Sequence, residues 1–291
     1  MFDKICIYYF SGTGNTEIVA ELFKDEFTKT NKSTDLVKIE DILNNKKKLD
    51  IDKYNLIGIA HPVYSFGAPG IIYKFIKILP KNNKRVFLFK TAGDFIFLNN
   101  AASKNAIKKI KKKGFDVFHE SLICMPSNWL IEYTEEVSKQ LYNTAKIKVK
   151  NIVCEILDSK KRIIKANIFL RLLTFFVNIL EDKCGAKMFG RFLAINKNCI
   201  DCGKCIKNCP TENIYKKDDR IKFKWKCIFC MRCVYACPGN AIKSRGLNVF
   251  ILKDGYNIRK IIDNKNIKGD YITKKTKGFY KRFYKYISSE K

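Results

Sequence analysis

Apolar and polar positions change rhythm several times along the 291-residue chain. KICIYYF reads as a buried strand near the start, and TDLVKI (34–39), YNLIGIA (54–60), RVFLFKTA (85–92) and FDVFHESLIC (115–124) read as four more. Between most of them the period lengthens to that of a helix. It does so at Ile18, Leu22 and Phe23, in PGIIYKFIKIL (69–79) and in AASKNAIKKIKKKG (101–114). Alternating strand–helix units predict a parallel sheet with helices on both faces.

After residue 155 the rhythm is different. IIKANIFLRLLTFFVNILED (163–182) is strongly apolar, but Lys165, Asn167, Arg171 and Asn178 interrupt it too often for a membrane span. Asn167, Arg171, Thr174 and Asn178 form one narrow polar stripe on a helix, and the remaining apolar faces require cover. Two arrangements would supply it: a helix clamped between two modules, or one docked on a membrane surface or a partner. IYKKDDRIKF (214–223) predicts a hairpin turning at Asp218–Asp219. The tail, 271–291, places Phe279, Tyr280, Phe283, Tyr284 and Ile287 at helical spacing among lysines. It could lie on anionic lipid or an acidic partner, or fold back over the cysteine-rich segment at 192–245.

Eight of the twelve cysteines form one pattern used twice. Cys199, Cys202, Cys205 and Cys209 follow C-x2-C-x2-C-x3-C and precede Pro210; Cys227, Cys230, Cys233 and Cys237 repeat it before Pro238. Two-residue gaps let three thiolates of one loop reach three corners of a cuboidal iron–sulfur cluster. The fourth lies too far along and ligates the other cluster, so the motifs brace one another. Zinc also uses C-x2-C pairs, but it leaves the third cysteine and the terminal Cys-Pro unexplained. The flanks repeat as well: Ile195 matches Phe223 ahead of the cysteines, and Ile214 matches Ile242 after them. Residues 192–245 resemble a bacterial two-cluster ferredoxin. The resemblance implies that Cys199, Cys202, Cys205 and Cys237 hold one [4Fe–4S] cluster, and Cys227, Cys230, Cys233 and Cys209 the other. Cys6, Cys124, Cys154 and Cys184 read as structural.

The loop after the first strand is SGTGNT, Ser11 to Thr16. It has no lysine for a Walker loop and no third glycine for a dinucleotide fingerprint. Its hydroxyls, and the freedom of Gly12 and Gly14, suit an anion at a helix start. The pattern S-x-T-G-N-T resembles the FMN phosphate loop of flavodoxins. That resemblance implies an α/β fold: a flavodoxin-like, doubly wound, five-stranded parallel sheet, here followed by a small α+β two-cluster ferredoxin domain. It also implies an FMN site of Ser11, Gly12, Thr13, Gly14, Asn15 and Thr16 with two further loops. These are Pro62, Val63, Tyr64, Ser65, Phe66 and Gly67, and then Thr91, Ala92, Gly93 and Asp94. Tyr64 is the expected stacking aromatic, with Phe66 and Phe95 as substitutes. His61, near the expected flavin edge, is a candidate proton donor, and no catalytic residue is assigned.

The whole chain resembles the flavodoxin–ferredoxin fusions of anaerobic bacteria and archaea. The expected division is an FMN-binding domain at 1–155, an apolar connecting helix at 156–191, a cluster domain at 192–245 and a basic, aromatic extension at 246–291. The expected function is low-potential electron transfer between FMN and two [4Fe–4S] clusters. An FMN-dependent reductase, using NAD(P)H or a small substrate with the clusters as internal wire, is the alternative.

Charge bears on partners. The net charge is +29; residues 1–155 carry 25 basic and 17 acidic side chains, and the remainder 32 and 11. Either the composition is that of a lysine-rich proteome, or the basic half meets an acidic redox protein or a membrane surface. Nucleic acid is not expected, since no recognisable binding module is present. With no secretory signal read at the start, a reducing cytoplasm is the expected location, with membrane association left open.

Overall fold

The computed structural model describes residues 2–289; Met1 and the end of the expected tail helix, Glu290 and Lys291, lie outside the described residues. The first half contains β1 (Lys4–Tyr9), α1 (Asn15–Lys29), β2 (Ser33–Lys38), α2 (Ile39–Leu43), β3 (Leu56–Pro62), α3 (Gly70–Ile78), β4 (Arg85–Ala92), α4 (Lys104–Lys112), β5 (Asp116–Cys124) and α5 (Glu135–Leu157). The strands pair in parallel in the order β2-β1-β3-β4-β5, the flavodoxin-like arrangement. Ile7 lies between Leu36 and Gly58, and the register of β4 with β5 slips after Val86. Alternation along β1 divides the core. Cys6, Tyr8 and Phe10 face α3 and α4 through Ile72, Phe75, Ile107 and Ile110. Ile5, Ile7 and Tyr9 face α1 and α5 through Val19, Phe23, Val149 and Val153. Apolar side chains on both faces are what a parallel sheet requires. All loops at the carboxyl ends of the strands therefore meet along one edge, and the switch point lies between β1 and β3.

The chain then leaves the sheet through α6 (Ile168–Leu180), a π-helical turn (Glu181–Gly185) and α7 (Ala186–Phe192). Asn167 caps α6 by accepting from the Leu170 N–H at 2.7 Å. The inward residues of α6 are Leu170, Thr174 and Asn178, so the polar stripe faces the protein. Asn178 Nδ2 donates to the Tyr64 carbonyl at 2.9 Å, and Asp182 Oδ1 accepts from the Gly70 N–H at 3.0 Å. Gly67 and Gly70 permit this approach, because a Cβ at either would collide with Asn178 or Asp182. The expectation of a helix clamped between two modules is thereby corrected: one side docks on the 64–70 loop, and the apolar side is left in solvent. Hydrogen bonding to a glycine-lined loop selects the polar face as the inner one.

In the cysteine-rich part, β6 (Leu193–Ile195), α8 (Lys204–Lys207), β7 (Ile214–Lys217), β8 (Arg220–Phe223), α9 (Arg232–Tyr235) and β9 (Ile242–Ser244) follow. β6 pairs with β9 and β7 with β8, both antiparallel, setting Ile195 opposite Ile242 and Ile214 opposite Phe223. Each pair joins the start of one repeat to the end of the other, as a pseudo-twofold demands. Left-handed backbone recurs at the same offset: Asp201 with Phe229, Gly203 with Met231, Glu212 with Asn240. Asp218 and Asp219, both at positive φ, form the expected turn.

Finally α10 (Ile258–Asp263) and α11 (Phe283–Ser288) return to the first half. Ile258 enters the α1/α5 core, and Phe283 is fully buried with Tyr133, Val137 and Leu141. The tail therefore covers the sheet domain rather than folding back over the cysteine-rich segment: its aromatic face packs on buried Tyr133 and partly buried Phe95. Among the described residues no helix is long and apolar enough to cross a membrane.

Candidate functional site

The SGTGNT loop is held from several directions. The Gly14 N–H donates to Ser11 Oγ at 3.2 Å, and Gly14 sits at φ 106, a conformation that favours glycine, as it opens α1. Thr16 Oγ1 and Thr91 Oγ1 share a hydrogen bond of 2.7 Å. Asn15 Nδ2 donates to the Pro126 carbonyl, while its Oδ1 accepts from Tyr256. The side chains of Asn15 and Thr16 thus shape the loop, and the amide groups opening a 15-residue helix suit an anion at its start.

Beside this loop is a cavity of about 340 Å³, within the range of small-molecule sites. Of the FMN-binding residues expected from sequence, Ser11, Gly12, Thr13, Asn15, Thr16, Pro62 to Phe66 and Thr91 to Asp94 line it; Gly14 and Gly67 do not. Gly67 instead closes a turn by reciprocal backbone bonds of 2.9 Å with Tyr64, with Ser65 and Phe66 both at positive φ. An anion cradle at one end and an apolar, aromatic wall along the side fit a phosphorylated flat ring system.

Two expectations are displaced. Phe95 lies outside the cavity, stacked on Tyr286 at 5.6 Å and edge-on to Phe283, because the returning tail claims it. His61 is fully buried under the sheet, its Nε2 3.2 Å from Ser103 Oγ, and burial pushes its pKa down to about 4. It is neutral and does not line the cavity.

Sequence reasoning missed part of the wall. The loop Pro126–Ile131 follows β5 at the same sheet edge, and Trp129 from it stacks near Phe250 at 5.7 Å. Its place after a strand's carboxyl end was the available signal. Arg282 comes from the tail and pairs with Asp94 at 2.8 Å. Glu181 reaches the wall from the π-helical turn; its buried Oε1 has no hydrogen-bond partner. Burial first, and the Asp182 charge second, raise its pKa to about 7. Neither residue carries a local motif.

Phe229 and Met231, on either side of Cys230, complete the wall. The second cysteine motif therefore abuts the phosphate loop. A Cβ on Gly12 would collide with Tyr64 Oη and the Cys230 carbonyl, so glycine is required by contact here. Tyr64 meets Phe10 edge-on at 6.4 Å, and its hydroxyl is buried without a partner. Arg232 fastens the junction. It donates to the carbonyls of Ser11 (2.5 Å), Gly12 (3.2 Å) and Asn208 (3.2 Å), and pairs with Glu40 at 2.7 Å.

The donor set of the cysteine motifs is thiol only. Backbone N–H groups of Asn213, Phe229 and Ala241 donate to the sulfurs of Cys209, Cys227 and Cys237 at 3.2, 3.4 and 3.3 Å. Burial pushes Cys227 up to about 12, Cys230 to about 11 and Cys233 well above its ordinary value. Such thiols ionise only against strong positive charge, which iron supplies, and amide donors to sulfur suit a cluster's thiolates. Among the described residues no three Cys, His, Asp or Glu side chains converge as one metal ion requires; a cuboidal cluster asks for a wider set, one thiolate to each corner.

Residues 192–238 match the family described as a 4Fe-4S dicluster domain. An uncharacterised protein of Methanocaldococcus jannaschii is 35% identical over 106 residues, 36% of this chain and 64% of its own length; the aligned part thus spans less than two thirds of that relative. Among solved structures, a flavodoxin from the domain Archaea is 15% identical, covering 52% of this chain and 99% of its own, with a TM-score of 0.35. Oxidised flavodoxin 2 from Bacillus cereus is 18% identical, covering 53% and 98%, at 0.40. Rubredoxin oxygen:oxidoreductase from Desulfovibrio gigas is 16% identical, covering 54% and 37%, at 0.37. The dicluster match, the flavodoxin-like strand order and the phosphate loop together support a redox role of the iron–sulfur flavoprotein kind. They are consistent with a flavodoxin–ferredoxin fusion.

Proposed function

We propose that the chain is a low-potential electron carrier of anaerobic metabolism, passing electrons between FMN in the cavity and two [4Fe–4S] clusters. FMN exchanges one or two electrons and a cubane cluster one, so the pair converts two-electron into one-electron traffic. In this reading residues 1–155 form the FMN domain, 156–191 the connection, 192–245 the cluster domain and 246–291 the extension. The clusters take Cys199, Cys202, Cys205 and Cys237, and Cys227, Cys230, Cys233 and Cys209.

The observation that carries the proposal is the shared wall: Phe229 and Met231, flanking Cys230, line the same cavity as Ser11 to Thr13. The Cys230 carbonyl lies against Gly12, so little but packed protein separates the two sites. Ser11, Thr13 and the amide groups at the start of α1 bind the phosphate. Tyr64, Phe66 and Trp129 orient the ring system and exclude water. Arg232 keeps the loops in register, and Glu181, its pKa raised by burial to about 7, places a titratable carboxyl beside the site. The basic half would meet acidic redox proteins.

The test is an anaerobic visible titration of the loaded chain with dithionite, reduced ferredoxin, NADH and NADPH. A carrier bleaches its flavin and cluster bands with dithionite or ferredoxin, and stays oxidised with either nicotinamide. Rapid bleaching by NADH or NADPH would mean an FMN-dependent reductase. Absence of cluster absorption would sink both readings.

A further inference from the structure

α6 presents its apolar side to solvent. Ile168, Phe169, Leu172, Leu173, Phe176 and Leu180 are all exposed, Phe169 by 73% and Phe176 and Leu180 by 66% each. With Phe175 and Val177, also exposed, the arc at about 100° per residue covers roughly 200° of a helix about 20 Å long. Soluble surfaces rarely leave so continuous an apolar patch uncovered. No packing explanation remains inside the chain, because the opposite stripe already bonds to the 64–70 loop.

The surroundings of the patch are basic. Arg171, the one charged residue within α6, lines a shallow hollow with Lys104, Lys108, Lys111 and Lys112 of α4. Lys104 is committed to Glu120 at 2.7 Å, but Arg171 Nε is buried without an acceptor. Lys165 lies exposed before the helix, Lys183 and Arg191 after it. The nearby acids Glu181 and Asp182 point inward, to the cavity and to Gly70. An apolar ridge about two side chains wide with cations on its borders has the chemistry of a helix lying in a bilayer interface.

We propose that α6 is a monotopic docking helix that seats the protein on an anionic membrane surface. Its apolar arc enters the headgroup–acyl boundary, while Arg171 and the α4 lysines contact lipid phosphates. The charge argues against a second copy as the occupant. Two chains of +29 would bring their basic borders face to face, whereas an anionic bilayer neutralises them. The inference is independent of what the cavity binds.

The test is co-sedimentation of the full, cofactor-loaded chain with phosphatidylcholine vesicles, with and without phosphatidylglycerol, at low and physiological salt. The native chain is expected to bind the phosphatidylglycerol vesicles at least roughly tenfold better than phosphatidylcholine alone. Phe169→Ser with Phe176→Ser should lower that binding roughly tenfold or more, with visible absorption unchanged as the check on folding. A second variant, Lys108→Glu, Lys111→Glu and Lys112→Glu, should remove the preference for phosphatidylglycerol. The proposal is overturned by failure of the native chain to bind, or by binding that the phenylalanine pair leaves untouched. It is equally overturned if light scattering finds a dimer that the same pair abolishes.

Discussion

Glu181 is a titratable group on the cavity wall whose pKa burial raises to about 7. In the unfolded chain it titrates at its ordinary value, 4.5, and in the folded chain at about 7. Between the two the folded state binds more protons, so its stability falls as pH rises through that window. Glu181→Gln cannot ionise; its advantage over the native chain should grow from about zero below pH 4.5 to at most about 3 kcal/mol above pH 7. Denaturant unfolding at several pH values measures this, and a pH-independent difference would exonerate the residue. His61 slopes the other way: with its pKa lowered to about 4, the folded state resists protonation, and stability is lost as pH falls from 6.5. Arg232 makes a different demand. Arg232→Met leaves Glu40 buried and unpaired, and should cost about 3–5 kcal/mol in thermal unfolding, part of it restored by adding Glu40→Met. If the second change restores nothing, the bonds to Ser11 and Gly12 carry the energy instead. None of these roles was legible in the sequence, because each depends on residues far apart in the chain, 42 positions for His61 and Ser103 and 192 for Arg232 and Glu40. The cysteine spacing and SGTGNT stand out in the sequence for the opposite reason: each pattern lies within a dozen consecutive residues.

Among the elements, the two cysteine loops show how a repeat diverges. The first has Gly203 at its left-handed position and the second has Met231, which carries backbone strain that glycine would relieve. The strain persists because the Met231 side chain forms part of the cavity wall. Met231→Gly should therefore leave cluster absorption intact while weakening flavin binding roughly tenfold, as one apolar wall contact is lost; fluorescence titration with FMN reads the outcome. Unchanged affinity would mean that Met231 serves only the α9 loop. The hairpin at 218–219 and the strand limits were readable to within two residues, since alternation and turn chemistry are local; the sheet order followed only from the resemblance to flavodoxins. α6 was readable in kind and not in orientation. Its polar stripe was visible, but burying the apolar side is the general expectation, and only the glycines at 67 and 70 reverse it here.

At the scale of the whole molecule, the returning tail ties the last element to the first domain. Phe283→Ala removes a fully buried ring and should cost about 3–5 kcal/mol. Because Phe279 and Arg282 also reach the cavity, the same change should loosen flavin and spare the cysteine loops. A calorimetric scan alongside flavin and cluster absorption would show the two effects together; loss of cluster bands first would contradict the packing described. The shared wall has a consequence for how the molecule matures. Phe229 and Met231 stand in place only when the second cysteine loop is formed, and that loop is short, with one four-residue helix. Its order depends on what the thiolates hold. Insertion of iron and sulfide should thus come first and flavin uptake second, so that a newly made chain lacking clusters is also blind to FMN. Chelating the iron from purified protein and then measuring flavin release would reveal that sequence of assembly in reverse.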